Sequence, residues 1–440
     1  MRKKKRIRSD VVRDSVNTFG TNAIGAVLVL IANFITMQRV NPTIKGYYNA
    51  MQMWGGGFNT IFGLSIASAV VYFVARHTIG NAERAVKRVT TRVFLLIAVA
   101  GTLILIGTRA LSMFHFDEMP VDFLVAIVVY ALASLVFSVC TCVLRGENKF
   151  KSFNIVNLTQ NIANTLLYIY IAARPSAVVW IWGTNAISIG MIGFSLYCIR
   201  RWNGPRPKPA PEDDHPVGSR DFVKYSLKSH VSNMLAYVNI YFGNYLVQDR
   251  FAVADLGVYS AATVILDKIW ILPNAVGQVV MSRIAAMTER KDKVRLTLIS
   301  TKAVTYVTAV IALLVLWAAK IFIPLLFPMY VGAIAPLRYL IVGAIVISYA
   351  KVLGNSIAAY GRPELNILPT VVGIASNIAA SFLFVPEMGV NGVALATSIS
   401  LSAQGVACIA IFCRFSRTPF YRLLLPSREE IAMARAAFRK

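Results

Sequence analysis

A few charged side chains lie within long apolar segments, where a charge is costly and is therefore informative about function. Lys268 lies near the middle of one such segment, Lys351 lies inside another, and Asp267 is the only acid well inside a segment. Cations at this depth can hold an anionic group, such as a phosphate, while it crosses a membrane. Three arginines at segment ends are further candidates for this cationic site: Arg39, Arg250 and Arg338.

Each of these charges also has a structural interpretation. Lys268 and Lys351 could be neutralised by local partners, although Asp267 and Lys268 are adjacent and would point about 100° apart on a helix. The three arginines could anchor segment ends at the membrane interface. The sequence leaves both interpretations open.

Polar residues recur at steps of three and four within several apolar segments, so that each set lies on one face of a helix. Such faces could hold helices together through hydrogen bonds, or they could line a wet cavity whose amides and hydroxyls suit sugar hydroxyls. We predict the cavity. Its candidate residues are Asn22 and Asn33 in the first segment, Asn154, Asn157 and Asn161 in the fifth, Asn233, Tyr237, Tyr241 and Asn244 in the seventh, and Asn274 in the eighth.

Signatures of enzyme chemistry are not found in the sequence. There is no Walker A motif and no nucleophile elbow, and the four histidines lack metal-ligand spacing. The five cysteines all lie in apolar segments and are interpreted as small hydrophobic residues. We therefore expect no cofactor and no metal site, and a transporter instead of an enzyme.

The composition indicates which elements must position these residues. Of the 440 residues, 57% are hydrophobic and 15% are charged, whereas soluble proteins carry about 25% charged residues. Apolar runs long enough to cross a bilayer predict an all-α integral membrane protein. We predict twelve spans: 15–38, 47–74, 93–114, 122–144, 153–173, 177–199, 226–248, 257–282, 303–325, 336–359, 364–385 and 391–413.

The distribution of basic residues predicts the orientation of the chain. Loops on one side of the predicted spans hold 36 Lys and Arg residues, and loops on the other side hold 6. Cytoplasmic loops collect basic residues, so both termini should be cytoplasmic. This bias explains most of the net charge of +25 without a nucleic-acid partner. The basic ends could also attract anionic membrane lipids.

The chain divides into two halves of six spans. We predict an N-terminal bundle over 1–199, a Pro-rich cytoplasmic linker over 200–225, a C-terminal bundle over 226–413 and a basic cytoplasmic tail over 414–440. A shift of 211 residues places Asn33 on Asn244, Arg39 on Arg250 and Tyr48 on Tyr259. Chance matches are common between apolar segments, but the Asn and Arg matches favour a duplication into parallel repeats.

Four stretches resemble the polysaccharide flippase (Wzx-like) branch of the multidrug/oligosaccharidyl-lipid/polysaccharide exporter superfamily. They are LRGENKFKSFNIVNLTQNIANTLLYI at 144–169, LGVYSAATVILDKIWILPNAVGQVVMSRIA at 256–285, GRPELN at 361–366 and PEMGVNGVALATSIS at 386–400. The resemblance implies a V-shaped, MATE-like pair of six-helix bundles. It also implies transport by alternating access between inward-open and outward-open states.

The implied function is a flippase in the bacterial inner membrane for oligosaccharide units linked to undecaprenyl diphosphate, in the synthesis of exopolysaccharide, capsule or O-antigen. The resemblance also implies a coupling ion, a proton or Na⁺, for which Asp267 is the candidate site. A polysaccharide polymerase and export proteins would be partners. Two alternatives remain: an ion-coupled exporter of drugs or metabolites with the same fold, and a membrane-embedded enzyme of glycan assembly.

Overall fold

The computed structural model describes residues 20–21, 24–76, 79–147, 149–201, 219–287 and 289–424. Within these ranges the regular secondary structure is helical throughout. The chain forms two compact units, unit 1 from Met1 to Tyr237 and unit 2 from Val238 to Lys440. The boundary between them falls inside one long helix, Ser219–Arg250. Most of the predicted linker, residues 202–218, lies outside the described residues, so the predicted domain boundaries stay a prediction.

Unit 1 begins with a helix that ends at Arg39 and turns through a capped corner into the next. Asn41 caps the second helix by accepting a hydrogen bond from the Ile44 backbone N–H at 2.9 Å, and Pro42 occupies its first turn. The helices are α1 Ile24–Arg39, α2 Pro42–Phe62, α3 Ile66–Arg76, α4 Ile79–Ala110, α5 Val121–Gly146, α6 Phe150–Ala173 and α7 Ala177–Arg201, followed by the first part of α8 Ser219–Arg250.

Unit 2 repeats this order of helices after the last part of α8. Its helices are α9 Val253–Ile269, α10 Ile271–Ala286, α11 Arg290–Leu326, α12 Ile334–Ala359, α13 Ile367–Met388, α14 Val390–Ser416 and the short α15 Tyr421–Leu424. With 37 residues, α11 is far longer than the roughly 20 residues that cross a bilayer core. Its charged first turns, Arg290–Arg295, account for six residues of the excess length.

Every predicted span coincides with one helix or with two half-helices in the described residues. Among the described residues, eight spans are long and apolar enough to cross a membrane. They are Val86–Ala110, Val121–Gly146, Ala177–Arg201, Val253–Met281, Arg290–Leu326, Pro328–Ala359, Glu364–Met388 and Val390–Ser416. This confirms the prediction of an all-α, multi-pass membrane protein.

The two units share internal contacts at equivalent positions, as expected for a duplication. In unit 1 the Tyr48 hydroxyl on α2 hydrogen-bonds Thr184 on α7. In unit 2 the Tyr259 hydroxyl on α9 lies 3.1 Å from the Thr397 hydroxyl on α14. The residue after each threonine also contacts a neighbouring helix. Asn185 hydrogen-bonds the backbone of α5, and Ser398 hydrogen-bonds the backbone of α12. These paired contacts lie close to the shift of 211 residues found in the sequence, and they support parallel repeats.

The second span of each unit is broken. The segment 47–74 was predicted as one span, but α2 continues through Gly55–Gly57 and ends at Phe62. The break follows at Leu64 and Ser65, whose φ angles of 48° and 50° lie in the left-handed region. Asn233 donates a hydrogen bond to the Ser65 hydroxyl at 3.0 Å. Backbone in this region costs about 1–3 kcal/mol per residue and needs such support.

Candidate functional site

The break in unit 2 lies at Trp270, between α9 and α10. Pro273 lacks a backbone N–H, so the Ile269 carbonyl loses its partner one turn later in the helix. The helix resumes at once, because the Asn274 N–H donates to the Trp270 carbonyl at 3.0 Å. The Trp270 indole N–H donates to the Ala344 carbonyl of α12 at 3.3 Å, which fixes the ring against α12. In transporters, substrate and ion sites usually lie where spans are interrupted at corresponding positions of the two repeats.

Four residues surround this break, and we call them the break cluster: Asp267, Lys268, Trp270 and Lys351. The Lys351 ammonium nitrogen lies 4.5 Å from the centroid of the Trp270 ring, a cation–π contact. Asp267 interacts electrostatically with both lysines. In the described part of the chain, however, neither lysine comes within the 4.0 Å of an ion pair with Asp267. The structure thus brings together three of the charges predicted to act in one site.

Close packing of α10 against α12 places Lys351 at the break. A Cβ atom at Gly277 would lie 2.8 Å from the Lys351 carbonyl oxygen and 2.6 Å from the Asn355 amide nitrogen. Only glycine allows the two helices to approach this closely. The Lys351 carbonyl also accepts a hydrogen bond from the Asn355 side chain at 2.7 Å. The backbone of Lys351 is therefore held firmly, while its side chain extends to the ring of Trp270.

The polar face predicted along the eighth span continues on both sides of the break. Asp267 and Asn274 are exposed on this face. Tyr241 of α8 interacts electrostatically with Asp267 and so belongs near the cluster. Asn244, one turn further along α8, is buried. A face with a carboxylate, two ammonium groups and an amide can bind a ligand that carries both phosphate and hydroxyl groups.

The three candidate arginines lie at helix ends and are exposed. Arg338 is 13 residues before Lys351 on α12, which is about 20 Å along the helix axis. Arg250 pairs with the neighbouring Asp249 at 3.2 Å. Arg39 ends α1 in unit 1. Their positions favour anchoring at the ends of spans, the structural interpretation of these residues.

The polar residues of unit 1 act in part as contacts between helices. The Asn161 amide on α6 packs against Gly25 of α1, and Asn33 donates to the Val29 carbonyl of its own helix at 2.9 Å. The Tyr237 hydroxyl donates to the Met53 carbonyl. Asn154 is buried, and Asn157 is half-buried. Asn233 contacts Ser65 at the break of the second span. Asn22 lies outside the described residues.

A buried network in unit 1 was not among the predicted site residues. The Tyr48 ring stacks on Trp180 with centroids 4.2 Å apart, and its hydroxyl lies 2.9 Å from the Tyr168 hydroxyl. Gln52 donates to the same Tyr48 hydroxyl at 2.7 Å. Lys45, which the sequence placed in an outer loop, is 3% exposed. The match of Tyr48 with Tyr259 in the internal repeat was the signal that could have identified the network.

The charges of the break cluster point to anion binding. Among the described residues, no group of three or more His, Cys, Asp or Glu side chains could hold a metal ion. The Lys351 ammonium has no hydrogen-bond partner among the described residues, so its N–H groups remain free for a ligand. Ammonium groups bind phosphate through charge-assisted hydrogen bonds.

Comparisons with solved structures support the fold. A multidrug resistance MATE family transporter of the MOP superfamily, in an inward-facing conformation, is 17% identical with a TM-score of 0.62, covering 90% of this chain and 94% of its own. The lipid II flippase MurJ, in an inward closed conformation, is 16% identical with a TM-score of 0.64, covering 94% and 89%. A MOP superfamily transporter from Pyrococcus furiosus is 17% identical with a TM-score of 0.53, covering 94% and 96%.

Comparisons of sequence identify the family. No curated protein sequence matches the chain. A family model described as "Polysaccharide biosynthesis protein" matches residues 57–329, which is more than half of the chain. The matched range includes the breaks of both spans and three of the four residues of the break cluster; Lys351 lies outside it. The chain therefore belongs to the polysaccharide biosynthesis protein family, with the fold of the MOP superfamily of transporters and flippases.

Proposed function

We propose that this chain is a flippase that carries oligosaccharide units linked to undecaprenyl diphosphate across the bacterial inner membrane by alternating access. It would serve the synthesis of exopolysaccharide, capsule or O-antigen, with both termini in the cytoplasm. It would act as a transporter and not as an enzyme. The description of its family and the similarity to a lipid II flippase support a lipid-linked glycan as the substrate.

The observation that carries this proposal is the free ammonium group of Lys351 beside a helix break inside the membrane. An ammonium group in an apolar span is costly unless a ligand or a counter-ion repays the desolvation. Asp267 lies near but forms no direct ion pair with Lys351. A diphosphate group carries the charge that Lys351 and Lys268 together would neutralise.

The other residues have subordinate roles in this proposal. The exposed amide of Asn274 would contact sugar hydroxyls. Asp267 would bind the coupling ion, a proton or Na⁺. Membrane lipids would surround the lipid tail of the substrate, and a polysaccharide polymerase with export proteins would receive the glycan.

The test is the leaflet in which lipid-linked glycan accumulates when the gene is deleted. Glycan in the outer leaflet is accessible to an externally added glycan-degrading enzyme, and glycan in the inner leaflet is protected. A flippase deletion should leave the glycan protected, and the wild-type gene should restore access. No accumulation, with increased sensitivity to cationic drugs instead, would favour an exporter of the same fold.

Substitutions in the same strain test the residues of the site. Lys351→Gln combined with Lys268→Gln should lower the rate at which glycan becomes accessible by at least about tenfold, since each charge-assisted bond contributes about 1.5–3 kcal/mol. Lys320→Gln is the matched control, because Lys320 is exposed on α11 and is not part of the cluster. Full rescue by the double variant would keep the flippase and reject its cationic site.

A further inference from the structure

Trp270 contacts the Lys351 ammonium group through the face of its indole ring. The ring is fixed by the hydrogen bond from its indole N–H to the Ala344 carbonyl of α12. Ala344 lies seven residues, or about two turns, before Lys351 on the same helix. The Lys351 backbone and the Trp270 ring are thus both held at α12. The Lys351 ammonium group lies over the ring face at 4.5 Å.

Asp267 is the competing partner for this ammonium group. It lies three residues before Trp270, on the same face of α9, and interacts electrostatically with Lys351. A lysine side chain is flexible and would normally close onto a nearby carboxylate in a medium of low dielectric constant. Here it stays outside ion-pair distance of Asp267 and lies on the indole ring instead.

We propose that Trp270 is a positioning residue that holds Lys351 away from Asp267 and so keeps its ammonium group available to the diphosphate of the substrate. The inference rests on the proposed function, since it explains how one cation of that site, Lys351, stays available to bind the substrate. An indole face attracts an ammonium group without using all the N–H donors of that group, so phosphate oxygens can bind the donors that point away from the ring. Preorganisation of this kind raises affinity by removing the cost of ordering a flexible side chain.

The experiment measures binding of two probes, inorganic diphosphate and farnesyl diphosphate, to the purified full-length protein by titration calorimetry. Trp270→Leu removes the aromatic face, so Lys351 should close onto Asp267. Affinity for both probes should fall by about two- to thirtyfold, the range of a partly desolvated cation–π contact. Trp270→Phe keeps a ring under Lys351 and should lose no more than about half of that effect on the free-energy scale. If Trp270→Leu does not fold, Trp270→Met tests the same loss of the ring.

A double-mutant cycle distinguishes positioning from a general structural role. Asp267→Asn removes the competing carboxylate, so it should raise affinity more in the Trp270→Leu background than in the wild type. A purely structural tryptophan would give the same gain in both backgrounds. Equal gains, or unchanged affinity in Trp270→Leu, would overturn the positioning role.

Lys351→Gln separates this inference from the proposed function. Weak binding in Lys351→Gln with normal binding in Trp270→Leu would reject only the role of Trp270. Normal binding in Lys351→Gln would reject both the cationic site and its positioning. Binding of farnesyl diphosphate without inorganic diphosphate would show recognition of the lipid, and it would also count against the inference.

Discussion

Replacement of Gly277 by alanine should separate α10 from α12 at the position of Lys351. The added methyl group would lie 2.8 Å from the Lys351 carbonyl oxygen, whereas ordinary contact begins at 3.4 Å. The Asn355 side chain could turn aside, but the carbonyl belongs to the backbone of α12 and cannot. The two helices must therefore move apart by about 0.6 Å at this point.

The expected cost follows from two opposing terms. Overpacking of this kind costs about 1–3 kcal/mol. Alanine in place of glycine inside a helix returns about 0.5–1 kcal/mol. The net destabilisation should be about 0–2.5 kcal/mol. Gly190→Ala in α7 is the matched control, because a Cβ atom there meets no heavy atom within 4 Å. Gly190→Ala should therefore show only the stabilisation of about 0.5–1 kcal/mol that alanine gives inside a helix.

Thermal unfolding of both variants in the same detergent measures this difference. Each kcal/mol shifts Tm by about 2–4 °C in a unit of roughly 200 residues. Gly277→Ala should therefore unfold a few degrees below the wild type, and Gly190→Ala at or slightly above it. Diphosphate binding should fall in Gly277→Ala as well, since Trp270 directly precedes α10 and Lys351 lies on α12. Equal Tm values for the two variants would refute the close approach of α10 and α12.

Two further predictions concern stability and use the same thermal assay. Lys149→Met should lower the free energy of unfolding by about 3–5 kcal/mol, because it leaves Glu147 buried without its partner at 2.6 Å. Arg250→Gln, which removes an exposed pair, should lower it by less than about 1 kcal/mol. Similar losses in the two variants would contradict the burial argument. Tyr259→Phe should cost about 0.5–1.5 kcal/mol, and Tyr48→Phe should cost more because its hydroxyl has three partners. The two tyrosine losses should add in the double variant, since they lie in different units; a clearly non-additive result would show that the two sites are energetically coupled.

The sequence predicted the spans and the repeat because both depend on strong local signals. Apolar runs and basic loops are read one segment at a time, and their positions agree with the helices. The repeat was detectable because Tyr48 and Tyr259 keep equivalent contacts with Thr184 and Thr397. Such contacts within a bundle preserve a residue type at a fixed spacing, which a simple shift of the sequence detects.

The break in the second span of unit 1 could not be predicted in the same way. Three consecutive glycines at 55–57 remain helical, and close neighbours pack against them. One such neighbour is Tyr130, whose ring would lie 2.5 Å from a Cβ atom at Gly55. The break occurs at Leu64 and Ser65, which have no local preference for the left-handed region. A contact distant in sequence, from Asn233 to Ser65, supports that conformation.

The two broken spans differ in chemistry, and this difference limits what a repeat can reveal about a site. At the unit 1 break the contacts are neutral: Asn59 hydrogen-bonds Ser134 at 3.1 Å, and Asn233 hydrogen-bonds Ser65. At the unit 2 break the contacts involve charges. Asp267 and Lys351 of the break cluster have no charged counterpart among the unit 1 contacts just described. Duplication explains why both units carry a break, but it cannot explain charges that only one of them holds. The contact of Lys351 with Trp270 joins residues 81 positions apart in the chain. The sequence of one span therefore identifies Lys351 only as a costly charge inside the membrane. The packing of α10 against α12 is needed to show that Lys351 contacts the ring of Trp270.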